Sequence, residues 1–584
     1  MRPWGQCARL DAADRSLAWG AFLMLLAAYL LCFNGLPPGP DGEVSFQSTS
    51  ALVRTGSLAI GGTPEAEGLI EFAEQAPPGG FSVRRGVAAG EPRYYGWFGV
   101  GHAVTGVPLY ALGAGLAQLS RGTQAAHAAD TRYGVRRSEY YEHLLVGLRN
   151  PLLTAMTGFL LVLSARRLAI GRLAALLAAL GYGLATFALP QARGWLGDVQ
   201  GAFALAAAFH ALLLLREELR MRSGLWFGLA LALAFTTRVA LVLAVGVMDL
   251  ALVWLVLAMR HPAEASRRGD GVGRVLAAAL LPQLLAGLGL LALNLARFGA
   301  LLDTGYGEAL AGGLYGGDPL RALLGLLVSP GKGLLWMAPP LLLALAGARR
   351  LRSAGGRGLP ILVVLATIAV VAPVLTLVGW HGAYSYGPRY LLPALPLLWI
   401  LVASGMEGLP GAGWLLGRRA GPGSTAGDIS PLAWILLVAG LVTQVPGALV
   451  DTTTYHELAV EAARERFPDP PGTTHPADAD AARFEALQWD WGFAAPWAHW
   501  RILRHRVALL DGPEGASERF PVAEVFRYPS ELVLEPAQAR ERGFLHLAWI
   551  DHQLRLGGRS WPLLALVALQ LLLGTSLVVR GLDP

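Results

Sequence analysis

The sequence predicts an all-α polytopic membrane protein, a bundle of about twelve transmembrane helices with further helices lying on its outer face. Three observations carry this. Of 584 residues, 54% are hydrophobic and 15% are charged, a balance that ordinary soluble chains do not have. Apolar runs recur along the whole chain, many near the roughly 20 residues that cross a bilayer. The arginines, finally, fall in short connecting segments in a pattern that assigns sidedness.

The runs lie near 17–36, 97–119, 143–165, 172–190, 199–215, 223–237, 239–259, 275–297, 332–347, 359–379, 390–406, 431–450 and 561–579. The first follows Arg2, Arg9 and Arg15, but it is long and lacks a small-residue cleavage site, so it reads as an uncleaved span. With the start of the chain inside, a spanning 97–119 segment puts Arg166, Arg167, the stretch REELRMR and the basic turns at 349–352 and 418–419 outside. If 97–119 does not span, all of them return to the cytoplasmic side, together with 259–274 and Arg580. The second arrangement obeys the preference of basic residues for cytoplasmic loops. The segment 97–119 is therefore expected to lie in the outer interface, and the glycine- and aromatic-rich text YYGWFGVGHAVTGVPLY around its start agrees. Both chain ends are then cytoplasmic. Heavy use of Arg, Ala, Gly and Leu beside a single lysine, Lys332, looks like GC-rich coding and points to a bacterial inner (plasma) membrane.

Composition also excludes. The net charge of +6 follows from the basic loops, with no basic stripe interleaved with aromatics for nucleic acid. The two cysteines, Cys7 and Cys32, fall in a tail and a span, which argues against a disulfide and rules out a cysteine zinc site. Neither His-Glu-x-x-His nor Gly-x-Ser-x-Gly occurs.

The non-membrane residues concentrate outside, at 37–142, 191–198, 298–331, 380–390 and 451–560. Residues 1–450 read as one transmembrane module, to which the resemblance given below assigns catalysis. Residues 451–560 read as an outer-face interfacial region without a core of its own, and 561–584 as the last span and cytoplasmic tail. In the first outer loop, Asp41 and Glu43 precede a short amphipathic helix ended by Gly56; a carboxylate there is either a helix cap or a general base. Asp198 sits in a very short outer loop, and capping is again the alternative. In SPGKG, Gly331 and Gly333 would let an anion approach the backbone at a helix start, and Lys332 would add a point charge. A snorkelling interfacial lysine is the other reading. Arg389 precedes a span on the outer side, against the basic-inside trend, where it could pair with a lipid phosphate. Around it, Trp380, His381, Tyr384 and Tyr386 offer stacking and hydrogen bonding for a sugar, or an aromatic belt. A glycine-rich outer loop adds Asp303, Tyr306, Glu308 and Asp318.

Four stretches carry a resemblance: PDGEVSFQSTSALVRTGSL, YYGWFGVGHAVTGVPLYALG, QARGWLGDVQGAFALAAAF, and the pair LLVSPGKGLLWMAPPLLL and SYGPRYLLPALPLL. Over about 15–450 the chain resembles the GT-C superfamily of membrane glycosyltransferases, near the protein O-mannosyltransferase and aminoarabinose transferase branch (family 39). The resemblance implies a GT-C-like bundle that moves one sugar, with inversion, from a polyprenyl-phosphate donor to a glycan, lipid or protein acceptor on the outer face. It implies Asp41 as base, Asp198 as a catalytic residue placing the acceptor or a metal, and Lys332 and Arg389 on the donor phosphate. Glu43, His102, Tyr306, His381 and Tyr384 would line the substrate site. Where the family often has adjacent Asp-Glu, this chain has Asp41-Gly42-Glu43, so Asp41 is left to act alone; a divalent metal stays open, with a thin ligand set. The rival readings are a transporter or flippase of lipid-linked sugars, to which the intramembrane Asp249 belongs, and a non-catalytic assembly protein.

Overall fold

The computed structural model describes residues 9–33, 35, 39–76, 81–87, 92–122, 124–125, 138–258, 270–307, 315–353, 358–383, 385–407, 429–450, 452–467, 476–509, 519–535 and 561–582. These are overwhelmingly helical. Among the described residues ten helices, from Ala12–Cys32 to Trp561–Leu582, are long and apolar enough to cross a membrane by length and composition. The chain is a polytopic helical membrane protein.

Several of the apolar runs do not form one uninterrupted α-helix; 172–190, for one, divides into Arg172–Leu184 and Ala188–Ala192. The run 332–347 becomes a short helix Leu334–Met337, a 3₁₀ turn Pro339–Leu342 and a helix Leu343–Ser353. Pro339 and Pro340 lack the N–H that would continue the first turn and crowd the carbonyls before them. The run 390–406 likewise starts as a 3₁₀ turn, Arg389–Ala394, before the helix Leu395–Met406.

The helix Val100–Leu119 passes the same length and composition test as the spans, so its packing is what distinguishes it. It lies against Pro40–Thr55 and Tyr140–Gly147, with Thr49 Oγ1 donating to the Ala103 carbonyl at 3.2 Å and Gly113 set on the backbone of Tyr141 and Glu142. Its Gly99 and Gly101 meet the helix Met221–Thr237 at that helix's final residues, Thr236 and Thr237. It rests on the ends of bundle helices at one face, called here the site face.

The opposite end collects arginines. Arg166 pairs with Asp14 and Arg172 with Asp11, each at 2.7 Å, and Arg167 pairs with Glu217. Glu407 accepts from the Gly171 amide and pairs with Arg350 at 2.7 Å. The segments around 166–172, 217 and 350 therefore share one end with the start of the chain, the grouping that arginine placement predicts.

Glycines let the bundle close. A Cβ on Gly228 would lie 2.1 Å from the Ala279 carbonyl oxygen, and one on Gly224 2.7 Å from that of Val275. Gly347 and Gly405 face each other's helices, their absent Cβ positions 1.8 Å from Leu401 O and 2.1 Å from Leu343 O. Lipid offers no hydrophobic drive for helices to associate, so close backbone contact at small residues takes its place. The first and last described helices pack antiparallel by the same device, with Gly20 against Val578 and Gly581 against Ala13 and Leu17.

At the site face the loops are folded. Ala59–Ile60, Tyr94–Gly96 and Val83–Arg85 make a small antiparallel sheet with Tyr94–Gly96 in the middle, in strands too short to show periodicity in sequence. Beyond residue 451, the helices Thr452–Arg466, Pro476–Leu487 and Ala495–Leu509 and the strand pair Phe520–Pro521 with Val533–Leu534 form a cap. Its buried Leu458, Phe484, Phe493, Ile502 and Phe526 belong to the same continuous core as the bundle.

Replacing Gly347 by valine should cost about 2–3 kcal/mol, because backbone rather than a flexible side chain stands in the way. Gly287, with nothing within 4 Å of a Cβ, should accept alanine with a change below about 1 kcal/mol. Unfolding of both variants in detergent measures the contrast.

Candidate functional site

Two carboxylates open two helices at the site face, and neither is a cap. The helix Pro40–Thr55 takes Gly39 as its N-cap with no side-chain cap bond, and Asp41 stands in its first turn; Gly56 ends it in a left-handed conformation (φ 69°). The helix Asp198–Glu217 takes Gly197 as N-cap, also without a side-chain bond, and begins on Asp198 itself. Both side chains stand beside the free N–H groups of a helix start. Asp198 is 4% exposed and pairs with Arg238, which follows the last turn of Met221–Thr237.

Arg238 leads to the rest of the site. Its guanidinium stands over the Tyr390 ring, 5.0 Å from the centroid, and that of Arg389 lies 5.1 Å from the same centroid. Arg389 also reaches the Tyr390 hydroxyl at 3.4 Å. Tyr306 stacks on Trp97 with centroids 5.0 Å apart and planes 16° apart. Burial pushes the Tyr306 hydroxyl up to about 12; Arg238 and Arg389 pull against this, while Tyr390 and Asp41 add to it. The charge of Asp41 also reaches Arg389 and Tyr390. Asp41, Arg238, Tyr306, Arg389 and Tyr390 thus share one electrostatic neighbourhood, with Asp198 held to it through Arg238. Among the described residues Arg389 has no carboxylate partner, and it forms no ion pair with Asp41.

Lys332 is placed differently from the expected phosphate contact. Its Nζ donates to the carbonyls of Ala383 at 3.1 Å and Gly387 at 3.4 Å, and to that of Ser385. The three protons of an ammonium are thereby directed at protein oxygens. Lys332 lies in the turn outside the long spanning helices and is 3% exposed. Burial, and then the charge of Arg389, pulls its pKa down to about 7.

The remaining expected residues take other positions. Glu43 turns away from Asp41, holding His143 at 3.0 Å and accepting from Gln47 at 2.7 Å; His143 in turn stacks on Phe46 at 3.5 Å between centroids. That joins the first-loop helix to Tyr140–Gly147. His102 is buried behind the site, its carbonyl accepting from Arg149 at 2.6 Å and its ring edge near Gly197. His381 is buried, its Nδ1 taking the Ala383 amide at 3.1 Å. Burial first, then Lys332 and Arg389, hold its pKa down to about 3, so it stays neutral. Tyr384 and Glu308 lie outside the described residues. Asp303 pairs with Arg84 at 2.7 Å, and Asp318 caps the helix Pro319–Val328. Asp249 accepts from Gln283 of a neighbouring span at 3.0 Å, which gives the intramembrane acid a partner between helices.

Sequence reasoning left Arg238, Tyr390 and Trp97 out of the site. For Arg238 the signal was present: like Arg389, it is an arginine at the end of an apolar run. Tyr390 and Trp97 carry no such mark, since aromatics crowd every membrane edge. Among the described residues no group of three or more His, Cys, Asp or Glu is arranged to hold a metal ion.

No protein-family model matches this sequence, and no curated protein matches it. One solved structure with which it aligns is the crystal structure of ArnT from Cupriavidus metallidurans bound to undecaprenyl phosphate. The two are 14% identical, with a TM-score of 0.39, over 98% of this chain and 77% of that one.

Removing Arg238 would leave Asp198 as a buried, unpaired carboxylate. Arg238→Ala should therefore cost about 3–5 kcal/mol, and Asp198→Asn in the same chain should restore much of it. Unfolding of the single and double variants in nanodiscs checks the pairing.

Proposed function

We propose that this protein is a membrane glycosyltransferase that moves one sugar from a polyprenyl-phosphate donor to an acceptor hydroxyl at the site face, with inversion. The observation that carries the reading is the disposition of Asp41 and Arg389. A helix-start carboxylate with no capping duty shares its neighbourhood with a guanidinium that has no carboxylate of its own among the described residues. Arg389 lies within reach of the Asp41 charge without pairing with it.

A single displacement needs such a couple. The acceptor oxygen attacks the anomeric carbon from the side opposite the phosphate, and its proton passes to Asp41. The bond between the anomeric carbon and the phosphate oxygen breaks, and polyprenyl phosphate leaves with the electron pair. Arg389 faces the charge that grows on the leaving phosphate, an interaction strongest in the transition state. Arg238, already balanced by Asp198, holds Tyr390 and hence the wall on which Arg389 rests. Tyr306 on Trp97 supplies a stacked aromatic surface for the sugar. The motif resemblance supports the same reading, and the arginine-rich opposite end supports placing this face outside a bacterial plasma membrane.

Purified protein in nanodiscs, offered a panel of polyprenyl-phosphate sugars with an acceptor extract, should release polyprenyl phosphate. Asp41→Asn should lower kcat by about 10²–10⁴-fold while donor binding persists. Arg389→Ala should lower kcat/KM by about 10²–10³-fold. Donor binding without release from any sugar would instead favour a carrier of lipid-linked sugars, and turnover unaffected by Asp41→Asn would remove Asp41 as base.

A further inference from the structure

The turn Ser329–Gly333 is bound on both sides, and its two glycines are there for space. Gly331 donates its amide to the Gln488 carbonyl at 3.1 Å, and a Cβ on it would stand 2.5 Å from Gln488 Oε1 and 3.1 Å from the Gln488 Cα. Gly333 donates to the Ser329 carbonyl at 2.7 Å, and its Cβ would lie 2.6 Å from that oxygen. Between them the Lys332 amide donates to Ser329 Oγ at 3.2 Å. The backbone is cinched against the cap, and the lysine side chain leaves it toward the segment before Arg389.

That segment is conformationally demanding. Gly382, Ala383 and Gly387 all adopt positive φ, at 72°, 48° and 75°. For Ala383 this is a region that a residue with a Cβ enters only when its surroundings hold it there. The carbonyls of Ala383, Ser385 and Gly387 converge on one point, which Lys332 Nζ occupies. Arg389 follows after Pro388, its amide bound to the Gly387 carbonyl at 3.0 Å. Three acceptors around one point match a compact ammonium with three rotatable donors; a guanidinium spreads its donors over a plane and cannot serve them together.

We infer that Lys332 is a positioning residue for Arg389: its ammonium closes the Ala383–Gly387 turn and so sets where the Arg389 guanidinium stands, with Lys332 itself off the donor phosphate. The clamp stands on geometry alone; its service to a phosphate rests on the proposed glycosyl transfer. It also accounts for the lone lysine in a chain that otherwise uses arginine.

Two measurements on the full-length protein in nanodiscs separate these layers. Amide hydrogen exchange across 381–390 should quicken about tenfold or more in both Lys332→Ala and Lys332→Arg, with the spanning helices unchanged. Unchanged exchange there overturns the clamp whatever the protein's activity. With a polyprenyl-phosphate sugar as substrate, Lys332→Ala should lower kcat/KM about tenfold, and adding it to Arg389→Ala should change the result less than about twofold, because both act through one group. Effects that multiply, or full activity in Lys332→Arg, would show a direct phosphate contact and defeat the inference. A wild-type protein that turns over no such donor would defeat the glycosyl-transfer reading, and the exchange result would still decide the clamp.

Discussion

The ion pair between Asp198 and Arg238 is the contact on which the rest of the site face depends. It joins the start of one bundle helix to the end of another at the membrane edge, where neither charge could stay buried alone. With Arg238 fixed, its guanidinium fixes the Tyr390 ring, and that ring gives Arg389 a surface to lie on. One cation is spent on structure, so a second, Arg389, can remain available. A site with two acids and two arginines is thus not a pair of matched ion pairs but one closed pair and one open couple.

Much of the fold was legible because membranes impose few rules and impose them strictly. Apolar length marked the helices, and arginine placement grouped 166–172, 217 and 350 at one end, where ion pairs join them. Proline blurred the picture locally: Pro339 and Pro340 break a run that hydropathy alone shows as continuous. The candidate site was legible in part. Asp41, Asp198, Tyr306 and Arg389 do come together, since each lies just beyond an apolar run on the same face. The partners of Lys332 could not be read, because a backbone carbonyl has no residue identity and the three it uses lie some fifty positions away. Glu43 misled for a related reason. Two residues along a helix turn a side chain by about 200°, so Glu43 faces His143 instead of Asp41's neighbours.

The cap illustrates a different gap between text and structure. The stretch FEALQWDWGFAAPWAHW has the look of a segment lying in the interface, and Trp491 and Trp497 are indeed exposed. Phe484 and Phe493 nevertheless turn inward and join the bundle's core. Amphipathic aromatic text allows both, and tertiary contacts decide which rings are used. Through Gly331 and Gln488 the cap is bonded to the same turn that carries Lys332, so the cap and the segment before Arg389 share a support.

The antiparallel pairing of the first and last described helices, built on Gly20, Gly574 and Gly581, bears on how such a chain is made. Helices enter the bilayer in the order of synthesis, and neighbours in sequence can pack as they arrive. The Gly20 face has no such early neighbour in this seam. Its partner, Trp561–Leu582, is made only after the other described helices, so this seam closes later than the contacts between neighbours in sequence.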